Sequence, residues 1–241
     1  MARKGKMYHQ TIQSKYLQEE MTLKIYEPEE YNNLYESHVV IMQDGDDYYQ
    51  MGRVATLSDR MHDDYELNNT VFVGIHYIDR FDRLKKYATD GEQFEAYKQF
   101  LANEVVPLME EICPINPLGR TYTLMGDSLA GTIAWMTAVQ YPTTFKTVIM
   151  QSPLVDDNVI EAATSLDPNT SLNVYHSIGL LETAVGTTKG SKVDFVTPNQ
   201  QLASILKEKI NSYDYKEIDD GNHTWKFWQE EIPAIFEKML T

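Results

Sequence analysis

Ser128 stands in the string Tyr122-Thr-Leu-Met-Gly-Asp-Ser-Leu-Ala-Gly-Thr-Ile-Ala-Trp-Met: an apolar run, a tight turn, then a run of small and apolar residues. A serine hydroxyl is a weak nucleophile at neutral pH. It needs a base to take its proton and a third group to orient that base. A strand-to-helix turn suits such a serine, because it exposes the Oγ and aims the free N–H groups of the helix start at developing negative charge. That turn has no room for bulk two residues before or after the serine, and Gly126 and Ala130 hold those places. Ala130 departs from the glycine usually found there, and Gly131 lets the helix begin close to the strand. The plain alternative is a surface turn, which many Gly-x-Ser-x-small strings are.

Two histidines follow Ser128. His176 falls inside an apolar run that reads as a strand, the place of a core histidine. His223 lies in the polar loop Asp219-Asp-Gly-Asn-His, after the last strand, and is the candidate base. Glu182, after Ser-Ile-Gly at the end of the penultimate strand, is the first candidate for the orienting acid. Asp194, Asp219, Asp220 and a dyad without an acid remain alternatives, since solvated loop carboxylates are common. An oxyanion needs two N–H donors: Leu129, next to the nucleophile, supplies one, and Gly45 or Asp46, after the first core strand, the other. Gly45 permits an unusual backbone angle, although Asp-Gly is also an ordinary turn pair.

The elements that must position these residues follow from periodicity. Two antiparallel strands are expected between Met7 and Tyr26, then a buried strand over His38–Met42 ending in a loop from Gln43 to Asp47. A polar helix follows from Met51 to His62, and a buried strand over Thr70–His76. From Glu92 to Glu111 the apolar residues Phe94, Tyr97, Phe100, Leu101, Val105 and Leu108 share a helical face, with Pro107 kinking or interrupting its last turns. The strand ending at Met125 and the helix after Ser128 come next. Strands over Phe145–Ser152 and Leu172–Gly179, a helix over Asn199–Asn211, a strand over Tyr213–Ile218 and a helix over Trp225–Leu240 complete the chain. This alternation predicts an α/β fold: a mostly parallel central sheet with helices on both faces, in one domain over residues 1–241. Ligands of such sheets sit at the carboxyl ends of strands, where Ser128, Asp44–Asp47, Gly179–Thr183 and the His223 loop all fall.

Lys plus Arg total 21 against 36 Asp plus Glu, a formal charge of −15. That balance argues against nucleic acid or an anionic membrane as partner. The single cysteine, Cys113, allows no intrachain disulfide and reads as a packing residue; a Cys/His metal cluster is excluded by count, and no cofactor is implied. The basic N-terminus is not followed by the apolar run of a secretory signal, and no stretch approaches a membrane span, so a cytoplasmic location is expected.

Taken in order, several segments resemble the esterase D and enterochelin-esterase-like branch of the α/β hydrolases, over about Tyr16 to Phe236. They are Val39-Val-Ile-Met-Gln-Asp-Gly-Asp-Asp-Tyr-Tyr, Arg80-Phe-Asp-Arg-Leu-Lys-Lys-Tyr, Phe100-Leu-Ala-Asn-Glu-Val-Val-Pro, Gly126-Asp-Ser-Leu-Ala-Gly and Tyr141-Pro-Thr-Thr-Phe. Ser152-Pro, Gly179-Leu-Leu-Glu, Asn199-Gln-Gln-Leu and Gly221-Asn-His-Thr-Trp-Lys-Phe-Trp follow. The resemblance implies the α/β-hydrolase fold, with Ser128 as nucleophile, His223 as base and Glu182 as acid. It departs at Gly-Asp-Ser-Leu-Ala-Gly, where the family often has Ser-x-Gly-Gly. Arg83 matches a position on a loop near the active site, either holding the loop through a carboxylate or touching substrate. Trp225, Phe227 and Trp228 read as core aromatics of the last helix rather than a substrate platform. Between Ser152 and Leu172 there is too little chain for a lid domain; a short loop or helix over Asp156–Asn169 lines an open, shallow site.

The expectation is a serine carboxylic-ester hydrolase for small or exposed acyl esters. Siderophore trilactones, thioesters and acyl transfer are alternatives of the same fold, and a non-catalytic binding protein is the alternative of another class. Self-association is left open.

Overall fold

The structure, a computed structural model, describes residues 4–29, 31–32, 34–113, 119–167, 170–188 and 190–241. Strands β1 (Lys6–Gln13) and β2 (Glu20–Glu27) form an antiparallel pair in which Met7 faces Tyr26 and Ile12 faces Met21. Strand β3 (Ser37–Gln43) runs into the short helix α1 (Gly45–Gln50), and α2 (Val54–Asp63) follows a turn at Arg53. The expected loop after β3 is thus already helical from Gly45. Asp44 makes this possible by taking a left-handed φ of 56° that breaks the strand direction within one residue.

Strand β4 (Thr70–Ile75) leads to α3 (Arg80–Tyr87), a helix the apolar pattern does not announce. Its residues are mostly charged, and its start is set by Asp79, whose carboxylate accepts the N–H groups of Phe81 and Asp82. The expected Glu92–Glu111 helix is three pieces: α4 (Phe94–Phe100), a π-helical turn over Leu101–Val105, and α5 (Val106–Ile112). Pro107 has no N–H to give and its ring crowds the carbonyl four residues back, so the wide turn sits where the regular ladder fails.

Next come β5 (Arg120–Asp127), α6 (Ser128–Gln140), β6 (Phe145–Gln151), α7 (Asp157–Thr164) and β7 (Asn173–Gly179). The stretch expected over Asp156–Asn169 is helical at α7; Pro168 and Asn169 lie outside the described residues. A small hairpin of β8 (Val185–Gly186) and β9 (Lys192–Val193) is an addition the sequence does not signal. Helix α8 (Val196–Lys209) starts a turn before the expected Asn199. Asp194 accepts the first two N–H groups, of Val196 and Thr197, and Pro198 has none to satisfy. Strand β10 (Ser212–Ile218) and α9 (Trp225–Met239) close the fold.

The eight-stranded sheet has the order β1-β2-β4-β3-β5-β6-β7-β10. From β4 through β10 neighbours are parallel, and β1 and β2 add an antiparallel edge. Strand β3 shows why its sequence is apolar throughout: Val39 and Ile41 enter the core beneath α4, α5 and α6, while Val40 and Met42 enter the core beneath α1, α2 and α9. Helix α9 is tied to the sheet by a buried carboxylate. Glu231 accepts from Tyr175 Oη (2.8 Å), Ser177 Oγ (2.9 Å) and Gln151 Nε2 (3.2 Å). That anchor sets where the preceding loop, which carries His223, crosses the sheet edge.

Candidate active site

Ser128 is the first residue of α6 and has a left-handed φ of 52°. Such a backbone is unfavourable for a residue with a side chain and persists only where its surroundings over-determine it. The packing around it is that tight: a methyl at Gly126 would fall 2.3 Å from the carbonyl carbon and oxygen of Ala130. Ala130 itself is fully buried within the turn, so the packing there takes up the methyl that departs from glycine. The turn leaves Ser128 half-buried and puts Leu129 at the second position of α6, where an N–H has no acceptor within the helix.

His223 Nε2 lies 2.8 Å from Ser128 Oγ, and His223 Nδ1 lies 2.6 Å from Glu182 Oε2. The residues come from three separate strand ends, 41 and 95 positions apart in sequence. An ionised carboxylate can only accept, so the Nδ1 proton points to Glu182 and the neutral ring presents its Nε2 lone pair to the serine. Glu182 is almost fully buried, at 1% side-chain exposure, and its other oxygen accepts from Gly179 N–H (3.0 Å) and Ser152 Oγ (2.7 Å). Packing holds the imidazole from both sides: the Phe195 ring lies 4.6 Å away, and Trp228 meets it edge-on at 4.9 Å.

The remaining candidates lie elsewhere. Asp194 is solvent-facing and caps α8; a hydrogen bond from Thr197 lowers its pKa from the ordinary carboxylate value. Asp219 and Asp220 are exposed. His176 is a core residue, with Nδ1 2.8 Å from Tyr213 Oη and Nε2 2.7 Å from Asn199 Oδ1. Burial lowers its pKa to about 4. The native ring is therefore neutral while an unfolded one protonates near its ordinary value. The associated stability is complete above about pH 6.5 and is lost as pH falls toward 4, about 3 kcal/mol in all. Urea unfolding at pH 7 and pH 4.5 should show this loss, and His176→Gln should flatten it; an unchanged slope in that variant would assign the acid sensitivity to other groups.

Arg83 donates through Nε (2.9 and 3.1 Å) and Nη2 (2.6 Å) to both oxygens of Asp44. Burial works against its charge and the Asp44 carboxylate more than offsets this, so the guanidinium is held charged. The pair ties α3 to the segment before α1. Gly45 and Asp46 occupy the first two positions of α1, where N–H groups lack intrahelical acceptors. Gly45 packs so closely on Gly74 that a methyl there would lie 2.3 Å from its Cα, and the Asp46 side chain turns away to Lys24 (3.0 Å). Neither lines the cleft described next, whereas Leu129 and Arg83 do. Asp127, just before the nucleophile, is buried, and its Oδ1 has no hydrogen-bond partner among the described residues. Burial first, and the neighbouring Asp44 charge second, raise its pKa well above the ordinary carboxylate value, which favours the neutral acid.

A cleft of about 420 Å³ opens beside Ser128 and His223. Leu84, Leu129, Leu154, Val185, Val193 and Phe195 give it apolar walls. The expected shallow site is deepened by the β8–β9 hairpin, which supplies one wall. A polar bridge closes another: Thr89 donates to Asp156 and accepts from Asn158 Nδ2 (3.1 Å), linking the end of α3 to the start of α7. Trp225, Phe227 and Trp228 do not line this cleft, and Trp228 is buried. The sequence singled out neither Phe195 nor the role of Trp228 against His223; the aromatic run beside His223 was the available signal. Among the described residues no helix is long and apolar enough to cross a membrane.

Comparison with known proteins places this chain in a family. A Bacillus subtilis (strain 168) protein, "Uncharacterized protein YjcH", is 41% identical over 236 residues, covering 98% of each chain. An "Acetyl esterase" of Caldicellulosiruptor saccharolyticus is 28% identical over 180 residues, covering 64% of this chain and 67% of the other. Among solved structures, the enterobactin esterase FES from Shigella flexneri superposes with a TM-score of 0.81 at 17% identity, covering 98% of this chain and 59% of that one. This chain thus spans about three-fifths of the enterobactin esterase. An IroE-like serine hydrolase from Shewanella oneidensis superposes at 0.76 and 16% identity, covering 96% and 80% of the two chains. These likenesses show the fold to be that of the α/β hydrolases, and a family model described as "Putative esterase" matches residues 14–239. The chain belongs to that esterase family.

Proposed function

We propose that the protein is a serine carboxylic-ester hydrolase that acts on small or exposed acyl esters through an acyl-enzyme on Ser128. The observation that carries this reading is the unbroken hydrogen-bond path from Ser128 Oγ through His223 to the buried Glu182. His223 takes the hydroxyl proton at Nε2 as Ser128 Oγ attacks the ester carbonyl, and Glu182 stabilises the imidazolium that forms. The Leu129 N–H, at the start of α6, receives the oxyanion. His223 returns the proton to the departing alcohol. Water, deprotonated by the same ring, then releases the carboxylic acid and restores the serine.

Family membership supports ester hydrolysis, and the acetyl esterase relative supports a small acyl group. So does the modest, mainly apolar cleft. Its described charged side chains are Arg83, already engaged by Asp44, and the acids Asp90 and Asp156, which disfavours anionic esters. The likeness to enterobactin esterase favours a second reading, lactone hydrolysis. Comparing kcat/KM for p-nitrophenyl acetate and a neutral trilactone decides between them. Labelling by a fluorophosphonate, with the adduct mapped to Ser128 by mass spectrometry, tests the nucleophile itself; no label at high dose would favour a binding protein.

The assignment of Glu182 makes its own prediction. Glu182→Gln should lower kcat by roughly 10³–10⁴. Asp194→Asn should leave kcat within about threefold, since an exposed helix cap acts mainly on stability. The reverse ranking would move the acid to Asp194.

A further inference from the structure

Strand β6, next to the strand that carries Ser128, ends in a second serine with a left-handed backbone: Ser152 has φ 47°. Its N–H is held by Ser177 O (2.8 Å), and its side chain is buried. A strained serine at a strand end persists only where its surroundings over-determine it. Among the described residues its hydroxyl has two hydrogen-bond partners, Glu182 Oε1 at 2.7 Å and Trp228 Nε1 at 3.2 Å. The indole N–H can only donate, so the hydroxyl must accept there and send its single proton to the carboxylate. The direction of that bond is thereby set by Trp228. Glu182 Oε1 then receives two donors, Ser152 Oγ–H and Gly179 N–H, which leaves Oε2 turned to His223 Nδ1.

We propose that Ser152 is a positioning residue for the esterase reaction: its hydroxyl, oriented by Trp228, holds the Glu182 carboxylate in the plane and rotamer that face His223. The inference rests on Ser128 and His223 acting as proposed above. Trp228 has two duties in it, since the same ring packs edge-on against His223.

The informative variant is Ser152→Gly, because glycine removes the hydroxyl and also relieves the left-handed backbone. A residue that served architecture alone would lower the stability on removal and leave kcat and the pH profile of the folded enzyme unchanged. The expectation is a modestly lower melting temperature, because the unpaired Trp228 N–H and the donor lost at Glu182 outweigh the relieved strain, together with a fall in kcat of roughly 10–100-fold at unchanged KM. The acid limb of the kcat/KM profile should also move to lower pH, because a carboxylate no longer held toward His223 stabilises the imidazolium less. Ser152→Ala, which lacks the hydroxyl but keeps the strain, should lose the same activity and melt lower than Ser152→Gly. Wild-type kcat and an unmoved acid limb in Ser152→Gly, with the wild type itself active and labelled at Ser128, would overturn the role of Ser152 and leave the esterase reading standing. A wild type that neither turns over esters nor takes the label overturns both.

Discussion

Ser128→Ala should abolish most hydrolysis of p-nitrophenyl acetate, with kcat lower by roughly 10⁴–10⁶ and KM little changed. In the proposed mechanism the serine makes the covalent bond and the histidine takes its proton, so nothing nearby substitutes for either. His223→Ala should lose a comparable amount, and the double variant little more than either. The two groups act as one unit, and removing either removes the same step. A residual rate above buffer should survive in all three, from the helix-start amides that still face the carbonyl oxygen. Thermal melting should be nearly unaffected by Ser128→Ala, since alanine meets the same φ of 52° and is half-buried at the same turn. Additive losses in the double variant would show that Ser128 and His223 act independently, and equal cleavage by Ser128→Ala would place the nucleophile elsewhere.

Arg83→Met should be the most destabilising single change near the site, by about 3–5 kcal/mol at pH 8. The Asp44 side chain is 3% exposed and is paired with a guanidinium that is itself 15% exposed. Removing the guanidinium strands that carboxylate in the interior. It also withdraws the positive charge that partly offsets burial at Asp127. Losing a counter-charge raises a carboxyl group's folded-state pKa. A group with a raised folded pKa keeps its stability below the ordinary carboxylate range and loses it as pH rises. The gap between wild type and variant should therefore be small near pH 4 and widen toward pH 8, measured by urea unfolding. A gap that stays constant across this range would mean that Arg83 stabilises by packing its stem, not by its charge. Arg83 also lines the cleft beside Ser128, so the surviving folded enzyme should also lose activity.

Much of the architecture follows from local patterning. The continuous apolar runs at His38–Met42, Thr70–Ile75 and Phe145–Gln151 are strands of a sheet covered on both faces, and a strand reads that way only when both faces are buried. Ser128 was legible because an elbow needs small residues at fixed offsets on either side. The overlap a methyl at Gly126 would create with Ala130 is the physical content of that spacing. What the pattern concealed were elements held by polar contacts. Helix α3 depends on the Asp79 cap, α1 on a left-handed Asp44, and the interruption before Pro107 on a missing N–H.

The sequence by itself determined the serine on its turn, the order in which a histidine loop follows it, and a parallel sheet that gathers strand ends at one edge. These are properties of spacing along the chain, and hydrophobic periodicity carries them. Only the tertiary structure decided which acid meets His223. Glu182 and Asp194 lie a dozen positions apart and are chemically alike, yet one is buried against the imidazole while the other caps a helix in solvent. The same holds for Ser152 and Trp228, which join Glu182 from 30 and 46 residues away, and for Arg83, which reaches Asp44 across 39. Hydrogen bonds and ion pairs are short-ranged and directional, so their partners are settled by where the folded elements bring side chains together.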